Sequence, residues 1–283
     1  MKFFRVYIEI TNSCGLKCDF CPPKKTKPQT MSLVLFEKIL SELQGKTKEI
    51  AFHIMGDPLL NKNLKLYLDL ASAYSHKVSL TTSGFYLDGV EYSTLTHEAI
   101  HQLNISLNSF NKNSSKMSLD EYLSPVFSLI DYKLKLGGEE FINLRLWNLN
   151  KNNQESAFNE QVFGKIEEHY GVALRKNALK RDSLRVSERV RVHFEELFVW
   201  PSLQNEVTPP SSCYGLNKQL GVLADGRVVP CCLDYEGKMT LGNCKDENLD
   251  TILKRSQSIA LGLKNGTPSE ELCKRCSYRL RFL

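Results

Sequence analysis

The chain has 283 residues, 42% hydrophobic and 24% charged, a composition that excludes a disordered protein and allows one large domain or a large and a small one. The net charge of +5 comes from 37 basic and 32 acidic residues, too small an excess to indicate a nucleic-acid partner. The first ten residues, MKFFRVYIEI, include Arg5 and Glu9, so they lack the apolar core of a signal peptide, and no later run approaches the ~20 apolar residues of a membrane span.

The nine cysteines predict metal or redox chemistry. Without a secretion signal we expect a cytoplasmic protein, and the cytosol keeps thiols reduced. The odd number of cysteines also argues against complete pairing in disulfides.

Six candidate strands alternate with five candidate helices up to about residue 200. The strands are RVYIEI, EIAFHIM, KVSLTT, NISLN, FINLRLW and RVRVHF, and the helices are SLVLFEKILSEL, LKLYLDLASAY, LTHEAIHQL, EYLSPVFSLIDYKLK and FNEQVFGKIEEHY. This alternation is typical of parallel βαβ units and predicts an α/β fold, either a partial (β/α)6 barrel or a doubly wound sheet. In both folds the active site lies at the carboxyl ends of the strands.

The pattern changes after LFVWPS. Residues 201–212 are rich in Pro, Ser and polar residues and predict a linker between a first domain, 1–200, and a second, 213–283. In the second domain, LGVLADGRVVPCCLD predicts a hairpin that turns at Asp225-Gly226, and NLDTILKRSQSIALGL predicts a helix. A module of roughly 70 residues is of the size that often needs a metal or another staple.

Three cysteines follow the first predicted strand. Cys14, Cys18 and Cys21 form the spacing C-x3-C-x2-C, which can hold three corners of a 4Fe-4S cluster and leave one iron open to another ligand. The alternative is zinc bound by these thiols and a fourth ligand, although structural zinc sites favour two pairs of ligands and no second pair lies nearby.

The segment CGLKCDFC, with Phe20 as the aromatic residue, resembles the signature of the radical SAM superfamily. The resemblance implies a partial (β/α)6 TIM-like barrel. It implies that S-adenosylmethionine chelates the open iron and that an electron from the cluster cleaves it to a 5′-deoxyadenosyl radical, which abstracts a hydrogen atom from a substrate. It also implies a reducing partner such as flavodoxin or ferredoxin.

Further segments resemble the cofactor-binding segments of the same family. HIMGDP, after the second strand, is similar to its Gly-Gly-Glu-Pro segment, SLTTSG is similar to Thr-Thr-Asn-Gly, and Arg145 resembles a carboxylate-binding arginine. The residues that this resemblance assigns to S-adenosylmethionine are Met55, Gly56, Asp57, Thr82, Ser83, Ser106, Asn108 and Arg145. For each of them the alternative is an ordinary polar or turn residue at a strand end.

The second predicted domain resembles the auxiliary-cluster domains of radical SAM enzymes known as SPASM and twitch, the twitch form being a β-hairpin plus a helix. The implied ligands of one auxiliary 4Fe-4S cluster are Cys213, Cys231, Cys273 and Cys276. Cys232 is the alternative to Cys231, since neighbouring strand residues face opposite sides, and Cys244 is expected to be a buried thiol. We expect one auxiliary cluster because the chain ends at Leu283. A four-thiolate zinc site fits the spacing alone equally well.

These features predict a radical SAM oxidoreductase, of dehydrogenase or peptide-modifying type, that oxidises a small polar molecule or a peptide through the auxiliary cluster. Glu195 and Glu196 follow the sixth strand and could accept the proton released in that oxidation, or they could be solvated strand-end carboxylates. The alternative function is a non-catalytic iron-sulfur or zinc protein in electron transfer or regulation.

Overall fold

The computed structural model describes residues 1–23, 26–113, 116–149, 155–174, 183–197 and 199–282. Its strands are β1 Arg5–Ile8, β2 Glu49–Ala51, β3 Lys77–Thr82, β4 Ile100–Ser106, β5 Phe141–Leu149, β6 Ser183–Ser187, β7 Val190–Glu196, β8 Gln219–Val222, β9 Arg227–Val229 and β10 Gly242–Asn243. Its α-helices are α1 Leu33–Leu43, α2 Leu64–Ala73, α3 Tyr92–Leu95, α4 Leu119–Leu136, α5 Ser156–Tyr170, α6 Leu249–Arg255, α7 Gln257–Lys264 and α8 Glu271–Lys274.

The contacts divide the chain into two units. The first comprises residues 1–14, 22–78 and 198–283, and the second comprises residues 15–21 and 79–197. The linker predicted at 201–212 stays a prediction.

In the first unit β1 lies between two parallel neighbours. It pairs with β2, with Val6 opposite Ile50, and with β8, with Ile8 opposite Val222. β8 and β9 form the predicted hairpin, which turns at Gly226 with φ +89°, and β10 extends it. The hairpin of the predicted second domain is therefore hydrogen-bonded to the first strand of the chain.

Helix α1 covers this sheet because its apolar residues recur every three or four positions. It buries Leu35, Phe36, Ile39, Leu40 and Leu43, and Ser32 caps its amino end by accepting a hydrogen bond from the backbone N–H of Leu35 at 3.2 Å. Phe36 packs edge-on against Phe52 and Tyr67.

In the second unit β4, β5 and β7 are parallel neighbours, and β6 pairs antiparallel with β7. Along β5 buried Ile142, Leu144 and Leu146 alternate with half-buried Asn143, Arg145 and Trp147. Strand residues alternate between faces, so the second set shares one face of the sheet. The polar residues thus lie on the face opposite the buried aliphatic side chains.

All six predicted strands are present, but one helix prediction is wrong and another predicted helix is interrupted. LTHEAIHQL is not a helix: α3 ends at Leu95, and β4 begins at Ile100, because Ile100, Leu103 and Ile105 are buried in the sheet. The helix predicted after residue 248 is two helices that meet at buried Ser256, whose hydroxyl bonds back to the carbonyl of Ile252 at 2.8 Å. No helix in the described ranges is long and apolar enough to cross a membrane.

Candidate active site and cluster sites

The three cysteines of the first motif lie in the loop that follows β1. Cys18 is buried, Cys14 and Cys21 are half-buried, and the backbone N–H of Cys21 donates to the carbonyl of Cys18 at 3.1 Å. None of these three cysteines, all of them within the described residues, forms a disulfide bond. The tight turn brings Cys18 and Cys21 onto neighbouring positions.

Asn113, which the sequence did not reveal, holds this loop from the segment after β4. Its Nδ2 donates to the Cys18 sulfur at 3.0 Å and to the carbonyl of Ser109 at 2.7 Å, and its Oδ1 accepts from the backbone N–H of Lys17 at 2.8 Å. Beside it, Lys112 lies 3.5 Å from the carboxylate of Asp19. The loop is therefore anchored on both sides of Cys18.

Hydrogen bonds from Cys21, and then from Asn113 and Ser109, outweigh burial and lower the pKa of Cys18 to about 6. A cysteine binds iron as the thiolate, so this environment prepares Cys18 for ligation near neutral pH. Because one of the three thiols is readily deprotonated, the three cysteines fit the ligation of an iron-sulfur cluster.

Glu9 is a second residue that the sequence analysis missed. It is 4% exposed, and its two carboxylate oxygens accept backbone hydrogen bonds from Met55 at 3.0 Å and from Ala224 at 3.1 Å. It thereby joins the ends of β1 and β8 to the segment after β2. The sequence does contain a sign of this role, because Glu9 is a charged residue that directly follows the strand β1.

The predicted cofactor segment after β2 lies against the start of the cysteine loop. A Cβ atom at Gly56 would overlap the backbone carbonyl of Thr11, so only glycine fits there. The backbone N–H of Asp57 donates to the carbonyl of Ser13 at 2.8 Å, and buried Asp57 caps the next turn by accepting from Leu59 at 3.1 Å. Asp57 therefore shapes the turn with its carboxylate.

Met55 contacts Glu9 through its backbone N–H, whereas its side chain packs in an apolar cluster. That side chain lies against the apolar cluster of Ile54, Leu223 and Val229, which Tyr7, Cys232 and Tyr235 also touch. A cofactor contact by Met55 would therefore involve its backbone.

The hydroxyls at the end of β3 also shape a turn. Thr82 accepts from the backbone N–H of Gly84 at 3.1 Å, and Ser83 accepts from that of Phe85 at 3.4 Å. The Ser83 carbonyl accepts from the Tyr122 hydroxyl at 2.7 Å, which fixes the turn on α4. Both residues are buried.

Ser106, Arg145 and His193 lie at one level on three neighbouring strands, as the registers show. The Arg145 guanidinium carbon lies 4.3 Å from the centroid of the Trp147 ring, and the Trp147 indole N–H donates to Nδ1 of His193 at 3.0 Å. Asn108 follows β4 and is buried.

Below this level the face carries a hydrogen-bonded polar ladder. Asn104 donates to the Ser79 hydroxyl at 3.3 Å and to the Leu80 carbonyl at 3.2 Å, and its Oδ1 accepts from Asn143 at 3.1 Å. This face of the second unit suits a polar ligand.

Glu195 and Glu196 point to opposite faces because they are neighbours on β7. Glu195 is half-buried and shares the face of His193, whereas Glu196 is exposed. Between Leu146 and Leu149 the strand β5 has a β-bulge, which lies opposite Glu195 on β7. A bulge of this kind changes the direction in which the side chains of β5 point.

The four cysteines assigned to the auxiliary cluster line a single cavity, called here the four-cysteine cavity: Cys213, Cys231, Cys273 and Cys276. Its wall is otherwise largely apolar and includes Leu233, Met239 and Leu272. Burial raises the pKa of all four thiols, that of Cys276 to about 11. A site of four convergent thiols in an apolar wall fits a metal cluster, which would itself stabilise the thiolates.

The two remaining cysteines lie outside this cavity. Cys232 packs in the apolar cluster with Met55 and Tyr235 and is hydrogen-bonded to Tyr7. Cys244 is fully buried, and burial raises its pKa to about 12. Both observations agree with the sequence analysis, which preferred Cys231 to Cys232 and described Cys244 as a buried thiol.

Comparison with known proteins assigns both parts of the chain. The radical SAM superfamily matches residues 8–154, and the iron-sulfur cluster-binding domain SPASM matches residues 213–277. The S-adenosyl-L-methionine-dependent 2-deoxy-scyllo-inosamine dehydrogenase of Niallia circulans is 21% identical over 285 residues, which cover 97% of this chain and 93% of that protein.

Two solved structures share the fold. BtrN in complex with AdoMet and 2-DOIA aligns with a TM-score of 0.57 and 18% identity, over 98% of this chain and 94% of that one. Native anSMEcpe with bound AdoMet and Cp18Cys peptide aligns with a TM-score of 0.59 and 14% identity, over 97% of this chain and 86% of that one. These likenesses confirm the predicted α/β fold and are consistent with a partial TIM barrel.

The two matched domains imply S-adenosylmethionine and two 4Fe-4S clusters, one that binds S-adenosylmethionine and one auxiliary. Such an enzyme needs a reductant and a substrate. The chain belongs to the radical SAM superfamily and carries a C-terminal SPASM iron-sulfur cluster-binding domain.

Proposed function

We propose that this radical SAM oxidoreductase dehydrogenates a small polar substrate, with the auxiliary cluster as the electron acceptor. The observation that carries the proposal is that one chain combines a three-cysteine loop with a separate four-cysteine cavity. S-adenosylmethionine, when bound and reduced by one electron, supplies a radical that removes a hydrogen atom from the substrate.

Cys14, Cys18 and Cys21 hold the first cluster in this proposal, and Asn113 orients Cys18. The segment Met55–Asp57 offers S-adenosylmethionine its backbone, which Glu9 holds in place. The proposed cofactor set is completed by Thr82, Ser83, Ser106, Asn108 and Arg145. The first four lie at or just after the ends of β3 and β4, and Arg145, in the middle of β5, lies opposite Ser106.

Cys213, Cys231, Cys273 and Cys276 hold the auxiliary cluster in this proposal. No three His, Cys, Asp or Glu side chains in the described ranges converge closely enough to hold a single metal ion. A 4Fe-4S cluster places its thiolates on four separate irons, so it tolerates wider spacing than one zinc ion does. The match of residues 213–277 to the SPASM iron-sulfur cluster-binding domain favours the cluster over zinc.

The polar face of the second unit supports a polar substrate. Half-buried Arg145 and Asn143 present polar groups on this face, and Glu195, which shares the face, is the proposed base for the substrate proton. The nearly full-length match to a dehydrogenase favours a small hydroxylated molecule, while the likeness to anSMEcpe with a bound peptide keeps a peptide as the second candidate.

The proposal also covers the reductant, the cellular location and the linker between the domains. Flavodoxin or ferredoxin would be the reductant, and the cytoplasm, which keeps thiols reduced, would be the location. Residues 201–212 would link the barrel, 1–200, to the cluster domain, 213–283, in agreement with the start of the SPASM match at residue 213.

Anaerobic reconstitution, followed by dithionite and S-adenosylmethionine, tests the proposal. We expect about eight irons per chain and formation of 5′-deoxyadenosine. Cys18→Ala should abolish the cleavage, and Cys273→Ala should retain some cleavage but stop substrate oxidation. Cys244→Ala is the matched control and should keep all the iron. Full substrate turnover by Cys273→Ala would refute the acceptor role of the auxiliary cluster.

A further inference from the structure

Arg279 is the largest fully buried side chain of the described residues, at 2% exposure, and it is among the residues that line the four-cysteine cavity. Its Nε and Nη2 donate to the carbonyl of Ser211 at 3.0 and 2.8 Å, Nη2 also donates to the carbonyl of Gly266 at 3.2 Å, and Nη1 donates to the carbonyl of Cys273 at 2.9 Å. The guanidinium therefore ties together three separate segments of the cluster domain.

Every one of these acceptors is a neutral carbonyl. Among the described residues no carboxylate forms an ion pair with Arg279. A buried charge without a counter-charge is costly to keep, and hydrogen bonds to carbonyls satisfy the donors without neutralising the charge. The Arg279 guanidinium is thus a buried cation that no carboxylate of the described residues neutralises.

The one other charged group in the cavity wall does not supply it. Asp234 is buried, and its two carboxylate oxygens accept the backbone N–H groups of Lys238 at 2.8 Å and Met239 at 2.7 Å. Those bonds hold the turn after β9, and the positive charge that lowers the pKa of Asp234 is that of Arg227, against the larger raising effect of burial. The four thiolates themselves are the remaining anionic groups beside Arg279.

We propose that Arg279 is the counter-ion of the auxiliary cluster and raises its reduction potential, which makes the cluster a better acceptor of the substrate's electron. This inference rests on the proposed function, in which Cys213, Cys231, Cys273 and Cys276 bind that cluster. A four-thiolate cluster is anionic and becomes more negative on reduction, so a fixed cation nearby stabilises the reduced form more than the oxidised form.

The step that depends on this potential is the oxidation of the substrate radical. The radical, formed by loss of a hydrogen atom, gives up one electron to the oxidised auxiliary cluster and one proton to a base, and a double bond forms. A lower potential of the cluster would slow the electron transfer without affecting the cleavage of S-adenosylmethionine.

The test measures the potential directly in the full chain. Replacing Cys14, Cys18 and Cys21 with alanine leaves only the auxiliary cluster, whose midpoint potential is read by potentiometric titration with electron paramagnetic resonance detection. Arg279→Gln in this background should shift the potential to more negative values. Arg279→Lys, which keeps the charge, should shift it much less.

Arg275→Gln is the matched control. Arg275 lies four residues away, and its Nη1 donates to the carbonyl of Asn205 at 2.7 Å, but it does not line the cavity. Its replacement should leave the potential unchanged. An equal potential in Arg279→Gln and the parent, or equal shifts in Arg279→Gln and Arg279→Lys, would overturn the inference.

Iron analysis separates failure of the inference from failure of the proposed function. If the parent lacking the first three cysteines binds no iron, the proposed ligands are wrong, and the inference falls with them. If only Arg279→Gln loses iron, a second variant replaces it. In that variant residues 276–283 are made as a synthetic peptide carrying Arg279→citrulline, and the peptide is ligated to the rest of the chain at Cys276. Citrulline keeps most donors without the charge, so an unshifted potential in that protein would overturn the inference.

Discussion

Asn113 and Cys18 are 95 residues apart in the sequence, and Asn113 Nδ2 donates a hydrogen bond to the Cys18 sulfur at 3.0 Å. The same side chain accepts from the backbone N–H of Lys17, so Asn113 holds the position of a proposed cluster ligand. With Cys21 and Ser109, it also lowers the pKa of that ligand. Partners of this kind commonly matter nearly as much as the ligands themselves.

Asn113→Ala should therefore weaken the first cluster. Loss of the partner of a ligand typically costs about 10- to 100-fold in metal affinity or activity. We expect faster loss of iron to a chelator and slower formation of 5′-deoxyadenosine. Asn111→Ala is the control, because Asn111 bonds to Glu155 in the same loop. Equal iron retention in the two variants would contradict the role of Asn113.

Gly56→Ala should disrupt the segment after β2. The added methyl group would overlap the Thr11 carbonyl, so the segment or the start of the cysteine loop must move. We expect loss of S-adenosylmethionine binding, measured by equilibrium dialysis on the reconstituted protein. Gly164→Ala, in α5 with nothing near the added Cβ atom, should bind normally. Normal binding by Gly56→Ala would show that the segment is not part of the cofactor site.

Glu9→Gln should destabilise the first unit. The carboxylate accepts two backbone N–H groups, and an amide would place an NH2 group against one of them. Leaving a buried donor unsatisfied costs about 1–3 kcal/mol, which should lower the midpoint of thermal unfolding. Glu139→Gln, whose side chain is 90% exposed, should leave the midpoint unchanged. If Glu9→Gln and the control unfold at the same midpoint, the two hydrogen bonds of Glu9 do not stabilise the first unit.

Glu195→Gln should slow substrate oxidation far more than Glu196→Gln does. Removal of a general base typically costs about 10²- to 10⁴-fold, and only Glu195 shares the face of His193 and Arg145. Once a substrate is identified, product formation and 5′-deoxyadenosine formation are measured together. We expect Glu195→Gln to cleave S-adenosylmethionine normally but to release little product. Equal product yields from both variants would exclude Glu195 as the base.

Stability should fall as the pH drops below about 6.5, the ordinary pKa of histidine, because of His76. Burial lowers the pKa of His76 in the folded protein, so the unfolded chain binds the proton more readily. The contribution is therefore fully present above the unfolded pKa, is lost as the pH falls below it, and levels off below the folded pKa. His76→Phe should show a smaller drop in unfolding temperature between pH 8 and pH 6 than the parent. An identical drop would contradict this assignment.

The elements that the sequence predicted correctly are those set by local patterns. Runs such as KVSLTT and FINLRLW are strands in the structure because their apolar residues are buried there. The helix prediction at LTHEAIHQL failed because buried Leu95, Ala99 and Leu103 recur every four residues, as in a helix, whereas the chain from Ile100 is a strand that pairs with β5. The seven proposed cysteine ligands rest on their spacing together with the family resemblance, and their assignment stays a prediction.

The sequence by itself determined the class of chemistry, because cysteine spacing and turn residues are local and carry their chemical meaning without a partner. Which side chains contact those cysteines depends on the three-dimensional fold. Asn113 reaches Cys18, Glu9 joins Met55 to Ala224, and Arg279 enters the four-cysteine cavity through hydrogen bonds between distant segments. Such pairings depend on which strand lies beside which, and they leave no periodic trace in the chain.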